Sequence, residues 1–209
     1  MRLVVINHLT LDGVMQGPGR PDEDTRDGFD LGGWATVATG SPDPVVDEAI
    51  GAHRAQADGL LFGRRSYEEM LASWNAQGGP FKDALNNAQK YVASTTLSEP
   101  LPWPNSTLLG PDVIAAVSEL KARPGRELHI MGSGRLIGAL MQHQLVDELL
   151  LVVHPLVLGR GRRLFASGAP TSFELVDATA APSGVVVATY RTAGAYTPSV
   201  SRNSETTAL

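Results

Sequence analysis

Three short stretches of this chain combine residue types that bind anions. In "MGSGRLIGALM" (Met131–Met141) an apolar run turns through Gly132-Ser133-Gly134 and then takes up helical spacing with Leu136, Ile137, Leu140 and Met141. A helix that starts on glycines presents unpaired backbone N–H groups and the positive end of its dipole, favouring an anion by about 0.3–1 kcal/mol at an exposed site. Lacking a Cβ, the glycines also let the chain approach a pyrophosphate closely. In "LLFGRRSYEEM" an apolar run ends at Gly63, and Arg64, Arg65 and Ser66 open a short helix, so guanidinium, hydroxyl and helix start converge. That set suits a phosphate monoester. "YVASTTL" ends a third run with Ser94, Thr95 and Thr96. Each stretch alone has a plainer reading: a helix beginning at a tight turn, or two solvated arginines beside Glu68 and Glu69. Together, three strand ends of this kind in one mostly parallel sheet point to a single extended anionic cofactor across its carboxyl edge.

Two familiar motifs are excluded. Gly132, Gly134 and Gly138 do not make G-x-G-x-x-G, and Val153-His154-Pro155 stand about 20 residues on, where a dinucleotide-binding unit needs an acid. Ser133 is no hydrolase elbow, because Met131 occupies the first glycine of G-x-S-x-G.

The elements that must position these groups follow from hydrophobic periodicity. Apolar runs at Leu3–Asn7, Gly59–Phe62, Lys90–Ser94, Glu127–Met131 and Glu148–His154 read as buried strands. Helical spacing lies between them: Val45, Val46, Ala49 and Ile50 on one face, and Val113, Ile114, Val117 and Leu120 behind an Asp112 cap, with Pro124 as the stop. "FELVDATAAPSGVVVATYRT" reads as a terminal hairpin around Pro-Ser-Gly. The expected class is α/β, three layers α/β/α, with a mixed, mostly parallel central sheet and a C-terminal β-hairpin. Residues 1–191 form the domain, and the Ser/Thr-rich 192–209 is expected to be a flexible tail. The Gly- and Asp-rich Met15–Pro44 reads either as a disordered surface insertion or as a lid or binding loop, since structureless loops of this length are uncommon. Phe29 and Trp34 within it favour a loop that packs over something.

Bulk composition narrows the class further. A chain of 209 residues with 43% apolar content can bury a sizeable core. With no cysteine, disulfides, thiol catalysis and cysteine-held metals are excluded. A formal charge of −5 gives no footprint for nucleic acid. No apolar run is long enough for a membrane span or a signal peptide, so a cytoplasmic protein is expected. The five histidines show no i,i+4 pairing and no acid-rich cluster, so no metal is expected. His8, at the end of the first strand, could face the pocket, a packed or surface histidine being the other and preferred reading.

In order and spacing, "LTLDGV", "LLFGRRSYEEM", "YVASTTL", "IMGSGRLIGALM" and "VVHPLVLGRGRRLF" resemble the dihydrofolate reductase superfamily, and within it the branch that includes the reductase domain of riboflavin biosynthesis. The likeness runs from about Arg2 to Arg191. It implies NADPH as cofactor, with Gly63, Arg64 and Ser66 at the adenosine-side phosphates and Ser94 and Thr95 at the ribose 2′-phosphate. Gly132, Ser133, Gly134 and Leu136 would then line the pyrophosphate and nicotinamide. It further puts Asp12 and Gly13 at the mouth shared by nicotinamide and substrate, with Asp12 as the candidate catalytic acid. Leu158, Gly159 and Gly161 would lie near the substrate or a subunit partner. Asp47, on the first long helix, becomes the candidate for a heterocycle's polar edge, a solvated helix face being the other reading. The acidic stretch that replaces the usual Trp-rich lid does not favour folate as substrate. What is implied is a homodimeric NADPH-dependent reductase acting on a C=N or C=O group of a pterin-like or pyrimidine-like small molecule. The alternative is a non-catalytic nucleotide- or flavin-binding module on the same fold.

Overall fold

The computed structural model describes residues 1–39, 43–166 and 169–198. Eight strands form one sheet: β1 (Arg2–Thr10), β2 (Ala57–Gly63), β3 (Lys90–Ala93), β4 (Ser106–Leu109), β5 (Glu127–Met131), β6 (Glu148–His154), β7 (Thr171–Ala180) and β8 (Val186–Ala195). Their order is β4-β3-β2-β5-β1-β6-β8-β7. From β4 to β6 neighbours run parallel, and β8 pairs antiparallel with β6 and β7. The mixed sheet and terminal hairpin expected from the sequence are therefore present.

Six helices complete the layers: α1 (Trp34–Thr39), α2 (Pro44–Arg54), α3 (Arg64–Gln77), α4 (Pro80–Asn87), α5 (Val113–Ala122) and α6 (Gly134–Gln142). Val117, Leu120, Ile137 and Leu140 of α5 and α6 pack on Leu3, Val5, Leu128 and Ile130 on one face of the sheet. On the other, Val46 and Ile50 of α2, Tyr67 and Leu71 of α3 and Leu85 of α4 meet Val4, Ile6, Phe62 and Val152. Strands covered on both faces read as unbroken apolar runs, which is why β5 and β6 were legible without alternation. Asp112 caps α5 as expected, accepting from Ala115 N at 2.9 Å. Lys90 is fully buried, and its ammonium donates to the carbonyls of Leu85, Asn86 and Ala88 where α4 ends.

Three expectations need correction. The helix opened by Arg64 is not short: it runs 14 residues, to Gln77. β4 gave no signal, being four residues long and largely polar, and it forms through its parallel pairing with β3. The strand thought to end at Arg191 continues to Ala195, because Thr192, Gly194 and Ala195 pair with Phe173, Ser172 and Thr171. The ladder overrides the weak strand propensity of Thr-Ala-Gly-Ala. Most of the expected tail, residues 199–209, lies outside the described residues.

After β1 the chain moves outward to β2, β3 and β4, returns to β5, and then crosses to β6 on the far side of β1. The sheet thus reverses direction between β5 and β1, the place where open α/β sheets leave a crevice at their carboxyl edge. Residues 15–39 lie beside that crevice and are anchored: Trp34 Nε1 donates to Gln16 O at 2.7 Å, and Gly33 N to Gly17 O at 2.8 Å. Phe29 and Trp34 are buried with Val14, against Leu156 and Leu158. Gly161, at φ 113, seats this cluster, since a Cβ there would lie 2.8 Å from both Phe29 and Val14. Among the described residues, no helix is long and apolar enough to cross a membrane.

A Gly161→Ala substitution therefore meets both a steric clash and a backbone angle unsuited to alanine. It is expected to lower unfolding stability by about 1–3 kcal/mol and to expose Trp34, read by urea titration and tryptophan emission.

Candidate cofactor and substrate site

The carboxyl edge opens into one cavity of about 1660 Å³. Its walls include Gly63, Arg64, Ser66, Ser94, Thr95, Gly132, Ser133, Gly134, Leu136 and Asp47. Ten of the predicted residues thus converge from β2, β3, β5, α2, α3 and α6. Asp12, Gly13, Leu158 and Gly159 are not among the lining residues.

Hydrogen bonds lock the strand ends together. Gly63 N donates to Ser133 Oγ at 2.9 Å, joining the end of β2 to the turn after β5. Gly132 N donates to Asn7 Oδ1 at 3.2 Å, joining that turn to β1. The turn itself is left-handed at two successive residues, Gly132 at φ 64 and Ser133 at φ 61. Space is tight here as well: a Cβ on Gly132 would lie 3.0 Å from Ser66 Oγ, and one on Gly134 would displace the flexible end of Met15, whose Sδ would be 2.8 Å away.

Side-chain capping differs among the helices, and α4 has none, starting on Pro80 after Gly79. α2 and α5 carry aspartate caps at Asp43 and Asp112. α3 and α6 have no side-chain cap, and both start on the cavity wall. Within α6 the first intrahelical bond belongs to Ile137 N, which donates to Ser133 O. The N–H groups of Gly134, Arg135 and Leu136 are thus left to the cavity. Arg64 holds Glu68 at 3.2 Å, while Arg65 and Arg135 stand exposed on the same wall. Ser94 is partly committed, its Oγ accepting from Thr96 N and Leu97 N.

Asp12 has a different occupation from the one expected. Its carboxylate accepts from Thr10 Oγ1 at 2.6 Å, Leu158 N at 3.2 Å, Gly159 N at 3.0 Å and Arg163 Nη2 at 3.3 Å. Thr10's hydroxyl foremost, with those N–H donors and the guanidinium, holds its pKa down to about 2. A carboxylate held ionised by four donors and lying off the cavity wall is a poor candidate for the general acid. It fastens the 156–163 turn to the end of β1, so "LDGV" stays off the cavity wall, whereas Gly161, Arg162 and Arg163 of "LVLGRGRR" line it, Gly161 being a further predicted residue found there.

Sequence reasoning missed the polar floor. His8 Nδ1 and His154 Nε2 are 2.9 Å apart, and both residues line the cavity. Burial first, then His154 and Arg54, pushes His8 down to about 4, and burial lowers His154 as well. Trp34 stands edge-on to His154, ring centroids 5.3 Å apart. Two buried nitrogens, Asn7 Nδ2 and His154 Nδ1, have no partner. The pair arises only because β1 and β6 run side by side with Thr10 opposite His154, a register no local pattern contains. Among the described residues no group of three His, Asp or Glu could hold a metal ion.

Residues 2–187 match the model of the RibD C-terminal domain. This chain belongs to that family. Among its relatives, the uncharacterized Bacillus subtilis (strain 168) protein YyaP is 29% identical over 197 residues, covering 90% of this chain and 94% of YyaP. A putative riboflavin biosynthesis protein from Shewanella sp. PV-4 superposes with a TM-score of 0.69 at 23% identity, over 92% of this chain and 99% of that one. Dihydrofolate reductase from Enterococcus faecalis, solved with NADP(H), superposes with a TM-score of 0.54 at 13% identity, over 92% and 96%. The RibD C-terminal fold thus accounts for the late Gly-Ser-Gly turn: it follows β5, which lies beside β1 at the crevice.

The buried histidines set an acid limit on stability. His8 and His154 bind protons less readily folded than unfolded, so the unfolded chain is favoured as pH falls below 6.5. Unfolding free energy should decline from pH 6.5 toward about 4, and His8→Gln should shrink that decline. A flat wild-type profile across this window in urea titrations contradicts the assignment.

Proposed function

We propose that this chain binds NADPH along the cavity and transfers its hydride to a C=N or C=O group of a pterin-like or pyrimidine-like small molecule. The observation that carries this reading is the pair of helix N-termini, α3 and α6, left without side-chain caps on one wall beside Arg64, Arg65 and Arg135. An extended diphosphate with a further phosphate is the ligand such a wall suits. The residues present fit the cofactor on independent grounds: Gly132 turns left-handed, at φ 64, close against Ser66, where a side chain would be strained, and Asn7 Nδ2 is a buried donor without a partner among the described residues. Membership of the RibD C-terminal family, and the NADP(H) complex of the E. faecalis neighbour, support the same choice.

In this reading, the dihydronicotinamide supplies the hydride. The N–H groups of Gly134, Arg135 and Leu136 hold the pyrophosphate. Arg64, Ser66 and Thr95, with Ser94 shaping their turn, hold the ribose 2′-phosphate. Asn7, fixed through Gly132, offers its free amide hydrogen to the nicotinamide end. Ile6, Val46 and Ile50 wall the heterocycle, and Asp47 meets its polar edge. With Asp12 off the cavity wall, water delivers the proton. The chain works as a homodimer, a reading supported by the outermost strand β7, where Leu175 and Val176 are 58% and 47% exposed.

NADPH at 100 times its dissociation constant should stabilise the protein by about 2.7 kcal/mol, seen as a raised thermal midpoint. Steady NADPH oxidation with a panel of pterins and pyrimidines should follow; binding without turnover on any of them favours the non-catalytic reading. Arg64→Ala should weaken NADPH about tenfold or more while sparing NADH, in line with the loss of a charge-assisted contact. Equal losses for both would remove the 2′-phosphate assignment.

A further inference from the structure

The mechanism above leaves the His8–His154 pair unused, although it is the most constrained polar feature of the cavity floor. A neutral imidazole carries one N–H and one lone pair, so the 2.9 Å contact between His8 Nδ1 and His154 Nε2 admits two arrangements. If His8 Nδ1 carries the hydrogen, His154 must hold its own on Nδ1, which is buried without a partner. If His154 Nε2 carries it, Nδ1 of His154 is only a bare lone pair, and the hydrogen of His8 sits on Nε2. An orphaned buried N–H is the rarer and costlier outcome, so the second arrangement is favoured. Trp34, edge-on to His154, closes that side.

We propose, on the reading of a hydride acceptor bound in this cavity, that His8 held by His154 is a hydrogen-bond donor to an uncharged acceptor atom of the substrate, a ring carbonyl oxygen or imine nitrogen. His154 is the positioning residue: it fixes which nitrogen of His8 bears the hydrogen. The groups around the pair agree. Arg54, from α2, bears on His8 and lines the same cavity, so a cationic substrate edge is disfavoured there. Asp47, also on α2 and on the wall, can accept from a neighbouring ring N–H. Donor and acceptor together match the C=O and N–H of a lactam, the edge that oxidised pyrimidines and pteridines display. Burial keeps His8 neutral down to about pH 4, so the donor does not switch off or become a cation near neutrality.

The test is long-range 1H–15N correlation on the full chain with 15N-labelled histidine, at about pH 6 and about pH 8. The expected spectrum has both rings neutral, with hydrogen on Nε2 of each. Adding uracil, lumazine or lumiflavin in the presence of NADPH should shift His8 Nε2. His8→Phe should weaken the heterocycle that binds by about tenfold or more with NADPH affinity unchanged, and His8→Gln, which keeps a donor, should restore most of it. A hydrogen on Nδ1 of His8, a charged ring at pH 6, no shift with any of the three compounds, or equal affinity in His8→Phe each overturns the proposal. Failure of NADPH to bind the wild type sinks the cofactor reading instead. The ring tautomers and the shifts with heterocycle alone then still decide the role of His8.

Discussion

Backbone N–H groups at a helix start must find an acceptor, and this structure treats that requirement in two ways. At α2 and α5 the chain supplies aspartates of its own. At α3 and α6 it supplies none, and a hydrogen bond from Gly63 N to Ser133 Oγ holds those two helix starts side by side. Ser133 is thereby turned away from capping its own helix, since its hydroxyl serves the neighbouring strand. The same turn is fixed to β1 by Asn7. Three strand ends and two helix starts consequently behave as one rigid rim with unsatisfied donors on its inner side. The rest of the fold keeps that rim in register.

What keeps it there is mostly apolar. β1, β5 and β6 are buried on both faces by helices, so a slip of one residue would bring the wrong side chain to the edge at every strand. Residues 15–39 add a second wall through the Val14, Phe29 and Trp34 cluster and the arginine-rich turn that Asp12 fastens. Asp12 therefore acts on the cavity at one remove, by fixing the segment that borders it. The RibD C-terminal family assignment and the superpositions on solved structures describe the frame. The chemistry rests on what this chain places inside it.

Much of this was legible in the sequence, and the reasons are physical. Strands buried on both faces leave apolar runs, and helices starting on glycine or arginine leave local signatures, so five of the six parallel strands and the anion-binding turns could be located. Features built across long separations could not. Asp12 meets Leu158 across 146 residues, and His8 meets His154 across the same separation. Asp12 looked catalytic because its local motif sits at a strand end; its real partners lie on a turn that only the fold brings near. His8 looked idle because histidines were sought as helical pairs or beside acids, whereas this pair forms across a strand ladder. β4 and the end of β8 were missed for the related reason that pairing, not propensity, makes them strands.

The central claim is that unpaired amides at the start of α6, held beside the end of β2, receive a diphosphate. Backbone 1H–15N spectra recorded during addition of NADPH test it most directly. The account predicts that the largest shifts fall on Gly63, Arg64 and Gly132–Leu136, saturating together with one affinity. Saturable shifts confined to other segments, with those amides unmoved, would contradict it.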